Sequence, residues 1–241
     1  MAYRTPLPPD LRAVGAGPWA TFLHGSSREV LHRVAYAFGA ATHPSLYWVS
    51  ICEEGIPPMA EDPIRLGWVT EERHYTLATP DARPQDAVAN MALGTVLRSD
   101  ESESNLAEFT DFIRLPGVIQ DAVSRSGVDP PRPVLVVADT DRVRSYYPTD
   151  VEGVRHVIDP FRRNQMLCIF TAVGSPGAGR MAFDFVFKVQ ADSLARWRAG
   201  QLIVEKAPVG TSFHTGESYV LAQIPGMEAA FENLPPTSGK S

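Results

Sequence analysis

Cysteine is almost missing from this chain: among 241 residues there are two, Cys52 and Cys168, each inside an apolar run. That excludes the disulfide-stapled scaffold of small secreted proteins, in which cysteines are dense, and it fits a reducing cytoplasm. A leader-like apolar segment is missing too, since Met1 to Gly17 is broken by prolines and arginines. The longest uncharged run, Val34 to Cys52, approaches the length of a membrane span, but Thr42-His43-Pro44-Ser45 interrupts it with a polar turn. Positive charge is in deficit: 22 Lys and Arg stand against 28 Asp and Glu, a net charge of −6. The whole chain therefore has no general attraction to nucleic acid or to an anionic membrane. The 18 Gly and 21 Pro lie between apolar runs without a period, which excludes repeats and low complexity.

With 44% hydrophobic and 21% charged residues, the chain has material for one large core. No linker cuts it, so the expected organisation is an N-terminal arm over 1–18, a single domain over 19–230 and a flexible tail over 231–241. Trp19 to Leu23 is β-prone and runs into His24-Gly25-Ser26-Ser27, a turn whose serines suit a helix cap. Val30, Leu31, Val34, Ala35, Phe38 and Ala41 then recur on one helical face. Leu46 to Ile51 is a second strand, which stops at Glu53-Glu54-Gly55 and completes a βαβ unit.

Further on, Ile64 to Val69 and His74 to Leu77 read as a hairpin or as two separate strands. Ala87, Val88, Met91, Ala92 and Val96 read as a helical face, and Asn105 to Val123 as a second helix offset near Pro116-Gly117. Between these two lies the polar segment Arg98 to Ser104, whose acidic part Asp100 to Ser104 is either a contact surface or a solvated loop. Val134 to Ala138 is a buried-type strand ending at Asp139, Leu167 to Val173 is another, and Val151 to Asn164 is helical between them. Phe183 to Val189, Gln201 to Lys206 and Ser218 to Ile224 are strand-like, with turns between. The expectation is an α/β fold: a mainly parallel sheet flanked by helices, with an antiparallel C-terminal extension.

In such sheets ligands bind outside the carboxyl ends of the parallel strands. That places His24-Gly25-Ser26-Ser27, Glu53-Glu54, Asp139-Thr140-Asp141 and Gly174-Ser175-Pro176-Gly177 at one edge. A helix N-terminus attracts anions and nearby carboxylates hold a cation or orient water, so the expected chemistry is that of a phosphate or metal site. The same carboxylates also suit plain strand ends and caps.

The order of these pieces resembles the RecA-like P-loop ATPases, and among them the KaiC-like branch, over Trp19 to Met227. The most specific match is Leu46-Tyr47-Trp48-Val49-Ser50-Ile51-Cys52-Glu53-Glu54, a strand followed by paired glutamates. Val134 to Ala138 with Asp139 resembles the family's Walker B strand. Gln201 to Lys206 and Ser218 to Met227 resemble its closing hairpin. The resemblance also shows what is lost. In the loop G-x-x-x-x-G-K-[ST], backbone amides and a lysine cradle phosphates and a hydroxyl binds magnesium. Counting from Gly25, the second glycine, the lysine and the hydroxyl residue are replaced by Val30, Leu31 and His32. Without that lysine the electrostatic stabilisation on which phosphoryl transfer depends is gone. The family's Lys-x-Arg-Gly turn, held to reach a neighbouring subunit's nucleotide, keeps Lys206 but has Pro208 at the arginine position.

The resemblance therefore implies a degenerate Walker A motif and a pseudo-ATPase, regulatory or scaffolding, that works through protein contacts with itself or with an active relative. Glu53, Glu54 and Asp139 are then remnants of a catalytic centre. The alternative is a weak, atypical ATPase: ATP on Gly25, Ser26, Ser27, Arg28, His32 and Lys206, with magnesium on Asp139. A remoter alternative, an esterase of α/β-hydrolase type, rests on Leu23-His24-Gly25 alone, because no G-x-S-x-G elbow occurs. The glycine-rich Gly174 to Arg180 reads as a phosphate loop or a plain surface loop. Its single arginine is thin support for contact with DNA. His24, His32, His43, His74, His156 and His214 show no ligand spacing.

Overall fold

The computed structural model of the chain describes residues 8–17, 19–42, 47–53, 74–79, 95–98, 116–117, 120, 134–140, 150–174 and 177–231. The regular elements among them are α1 (Arg12–Gly15), β1 (Ala20–Gly25), α2 (Arg28–Thr42), β2 (Tyr47–Glu53), β3 (His74–Thr79), β4 (Thr95–Arg98) and β5 (Val134–Asp139). They continue with α3 (Val151–Arg163), β6 (Leu167–Val173), β7 (Phe185–Gln190), β8 (Gln201–Lys206) and β9 (Ser218–Val220). The segments 64–69, 84–92 and 105–115 lie outside the described residues.

The nine described strands form one mixed sheet in the order β4-β3-β2-β5-β6-β1-β7-β8-β9. The strands from β3 through β7 in that order pair in parallel. Antiparallel pairs close both edges, β4 on β3 and β8 with β9 beyond β7. Two expectations are corrected. The pattern of Phe183 to Val189 suggests part of the antiparallel extension, whereas β7 lies parallel to β1 with Phe22 opposite Val186. The chain leaves β6, crosses over β1 through the 3-10 turn Ala178–Ala182 and re-enters the sheet in the same direction. Val96, assigned to a helical face, belongs to β4 opposite Leu77; four residues at sheet spacing outweigh a short helical periodicity.

The crossover from β1 runs toward β2 and that from β5 runs toward β6, in opposite directions along the sheet. With the usual right-handed crossover, α2 and α3 must cover opposite faces. Side-chain packing agrees. Leu23, Ile169, Phe185 and Phe187 join Val30, Leu31, Val34 and Phe38 of α2 in one buried cluster. Their alternating neighbours Phe22 and Phe170 turn the other way and meet Phe183 at ring distances of 5.0 and 5.4 Å. On that second face lie α3 and the 3-10 turn packed against it.

Local chemistry sets the helix ends. Ser27 begins α2, its carbonyl accepting from the Leu31 N–H at 3.0 Å and its Oγ from the Val30 N–H. Asp150 caps α3 by accepting from the Gly153 N–H at 2.8 Å, and Arg162 and Arg163 occupy the last turn, where cations suit the helix dipole. The expected boundaries at 18 and 231 cut across the core. Leu11 and Val14 of the arm are buried with α2, and Phe231 stacks on Trp197 at 4.2 Å. No helix among the described residues is long and apolar enough to cross a membrane.

Candidate functional site at the strand ends

Neighbouring strands β1 and β6 send their chains to opposite sides, so the crevice outside their carboxyl ends is the topological switch point of the sheet. Gly25, Ser26 and Ser27 occupy it, and the backbones of β6 and β7 flank Gly25 on its two sides. The Gly174 N–H donates to Gly25 O at 2.8 Å from the β6 side. From the β7 side, a Cβ placed on Gly25 would lie 2.4 Å from Val189 O. Ser26 Oγ lies 3.3 Å from Asp192 Oδ1, where it donates to the segment leaving β7.

Two residues, Ser26 and Ser27, separate Gly25 from the start of α2 at Arg28. Val30, Leu31 and His32 are therefore already helical. Val30 and Leu31 lie in the α2 core at 0% and 1% exposure, and His32 is buried at 1%. Where a phosphate-binding lysine would reach out from a loop, Leu31 points inward. Arg28 stands half-buried in the first turn of α2.

Register places the remaining expected residues. Asp139 ends β5 level with Thr171 and, through it, with Leu23. Thr140 follows, its N–H and its hydroxyl both donating to Thr171 O at 2.8 and 3.0 Å. Glu53 ends β2 opposite Thr79. At about 4.8 Å per strand, the end of β5 lies about 10 Å from β1 and that of β2 about 14 Å. Glu54 lies outside the described residues. Gly25, Asp139 and Glu53 thus share one edge of the sheet, as the sequence order predicts.

Lys206 is not at that edge. It pairs with Val186, level with Phe22, three residues or about 10 Å before Gly25 along β1. Its ammonium donates to Met181 O and Phe183 O, and burial lowers its pKa while Asp184 opposes the shift. The register of β8 explains the position. Val204 faces Phe187 and Lys206 faces Val186, which leaves Glu205 as an extra, bulged residue. A bulge re-aims side chains. Here Val204 stays in the α2 core while Glu205 and Lys206 both reach the α3 face.

The bulge assembles a group that sequence reasoning did not join. His24 is 5% exposed, its Nε2 3.2 Å from Glu205 Oε2, and Arg180 Nε lies 3.4 Å from the same oxygen. Burial lowers the His24 pKa; Glu205 and the Gly174 backbone pull it up, and Arg180 pulls it down. Residues 24, 180 and 205 are far apart in sequence, and no spacing rule connects them. Cys168 is buried in β6 and burial pushes its thiol up, which fits a packed side chain. Among the described residues there is no group of three or more His, Cys, Asp and Glu placed to hold a metal ion. No protein-family model matches the chain, and no curated protein matches it.

Proposed function

We propose that this chain is a non-catalytic, RecA/KaiC-like pseudo-ATPase that acts through protein–protein contacts, with itself or with an active relative. One observation carries the reading: the turn between β1 and α2 holds two residues, and the positions that would supply a second glycine, a lysine and a hydroxyl are buried helical Val30, Leu31 and His32. A turn this short presents few amides to a triphosphate, and bonds to Gly174 and Asp192 already engage its edges. Phosphoryl transfer depends on positioned positive charge; Val30 and Leu31 carry none, and His32 is buried in α2. Glu53 and Asp139 are the last residues of β2 and β5, and this position at the strand ends supports a reading in which the fold outlasted its catalytic loop.

Thermal unfolding with millimolar ATP or ADP and magnesium tests this. A nucleotide at a hundred times its Kd would stabilise the native state by about 2.7 kcal/mol, a rise of several degrees in Tm for a chain of this size. We expect no shift. A magnesium-dependent rise that disappears in Asp139→Asn or Glu53→Gln would replace this reading with the atypical ATPase.

A further inference from the structure

Six consecutive residues of α2, Val30, Leu31, His32, Arg33, Val34 and Ala35, are each at most 1% exposed. A helix lying on a sheet buries one stripe and leaves its other face to solvent, so α2 must have a second cover. The arm supplies part of it with Leu11 and Val14. The segment beyond β9 supplies another part: its 3-10 turn Glu228–Ala230 packs on α2, and Ile224, Met227, Ala230 and Phe231 join the α2 core. The attachment of this segment differs from that of the strands. Leu221 still donates its N–H to Gly200 O at 2.8 Å. Past it, the N–H groups of Ile224, Met227, Ala230 and Phe231 each donate to the carbonyl three residues back, within the segment. Side chains do the fastening, in a row. Arg198 lies over the Trp197 ring at 5.2 Å, Trp197 stacks on Phe231 at 4.2 Å, and Arg33 lies 5.8 Å from the centre of the Phe231 ring. Arg33 Nη1 also donates to Ala230 O at 2.6 Å, and Arg198 pairs with Glu228 at 3.0 Å.

We propose that Ile224 to Phe231 is a strap over α2 that lifts as one unit while the sheet stays folded, uncovering the outer face of the helix. Two features set the cost of lifting below that of unfolding. The strap's own backbone bonds are local, so it separates from α2 without breaking a strand ladder. The guanidinium of Arg33 loses its hydration when the strap is closed and regains it on opening, which makes separation less costly than for an all-apolar contact. The row of rings explains why the parts move together. Ile224, Met227 and Ala230 hold their places on α2 only while Phe231 is clamped between Trp197 and Arg33. Once that clamp parts, the three buried side chains before it have lost their common anchor. The open form presents Arg33 and the apolar side chains of the strap to water, a surface the closed molecule does not show.

The test is native-state amide exchange of the intact, unmodified chain over a series of low urea concentrations. We expect the amides of Ile224, Met227, Ala230 and Phe231 to share one protection factor, at least about tenfold below that of the central amides of β1 and β6. Their exchange should depend only weakly on urea, because a small opening exposes little surface. Ala230→Cys gives a second reading, with the buried Cys168 of β6 as reference in the same molecule. Relative to its rate in the unfolded chain, the introduced thiol should react with iodoacetamide at least about tenfold faster than Cys168. If Ala230→Cys does not fold, amide exchange of the unmodified chain decides. Equal protection of strap and sheet with the same urea slope would overturn the strap, as would four unrelated protection factors, which signify fraying residue by residue.

Discussion

Gly25 illustrates how much a single residue decides at the strand edge. Its α-carbon lies where β1 and the end of β7 come closest, and a methyl group there would meet Val189 O at 2.4 Å. Backbone oxygen cannot swing aside as a flexible side chain can, so the requirement is for the absence of a Cβ. Gly25→Ala is expected to destabilise the fold by about 1–3 kcal/mol, the usual cost of overpacking. Urea denaturation would read this as a lower midpoint with unchanged slope, and an unchanged midpoint would show that β7 gives way freely. The glycine therefore has a packing role here, whatever loop chemistry its position suggests. Leu31, six residues later, makes the complementary point: it reads as a lost lysine in the sequence, and in the fold it is a core side chain of α2.

Among the elements, β7 shows what local pattern leaves open. Phe185, Phe187 and Val189 alternate toward α2, and that alternation is the same in a parallel or an antiparallel strand. Its direction is set by the crossover through residues 174–184, which is held on α3 by Asp184. The carboxylate of Asp184 accepts from the Ala20 N–H at 2.9 Å and from Arg162 Nη2 at 2.7 Å, and Arg162 also donates to Ala182 O at 3.1 Å. One side chain thereby fixes the start of β1, the end of α3 and the start of β7. Asp184→Asn keeps the shape and removes the charge, and we expect a loss of about 1.5–3 kcal/mol, the range for hydrogen bonds to charged groups. Chemical denaturation of the variant measures it. A loss near zero would mean that the crossover is held by the Phe183 ring contacts alone.

Across the whole molecule, the two faces of the sheet carry separate layers, and Cys168 lies inside the α3 layer with no exposed surface. A thiol so placed reacts only when the native structure opens. For a domain with the ordinary stability of about 5–15 kcal/mol, alkylation of Cys168 in native buffer should be slower than in the unfolded chain by about a thousandfold or more. Peptide mapping after iodoacetamide treatment would follow this residue by itself, and labelling at the unfolded rate would contradict a closed core. The sequence by itself determined the element types that rest on short-range periodicity: β1, α2 and its serine cap, β5, α3 and β6, and with them the α/β class. It also determined that Gly25, Glu53 and Asp139 lie at strand ends, because a polar residue after an apolar run marks where a strand leaves the core. Only the tertiary structure decided that β7 runs parallel to β1, that Lys206 lies well short of the crevice, and that His24, Glu205 and Arg180 meet. Strand direction depends on a crossover path and side-chain aim on a one-residue bulge, and both are fixed by pairing between segments remote in the chain, which no local pattern encodes.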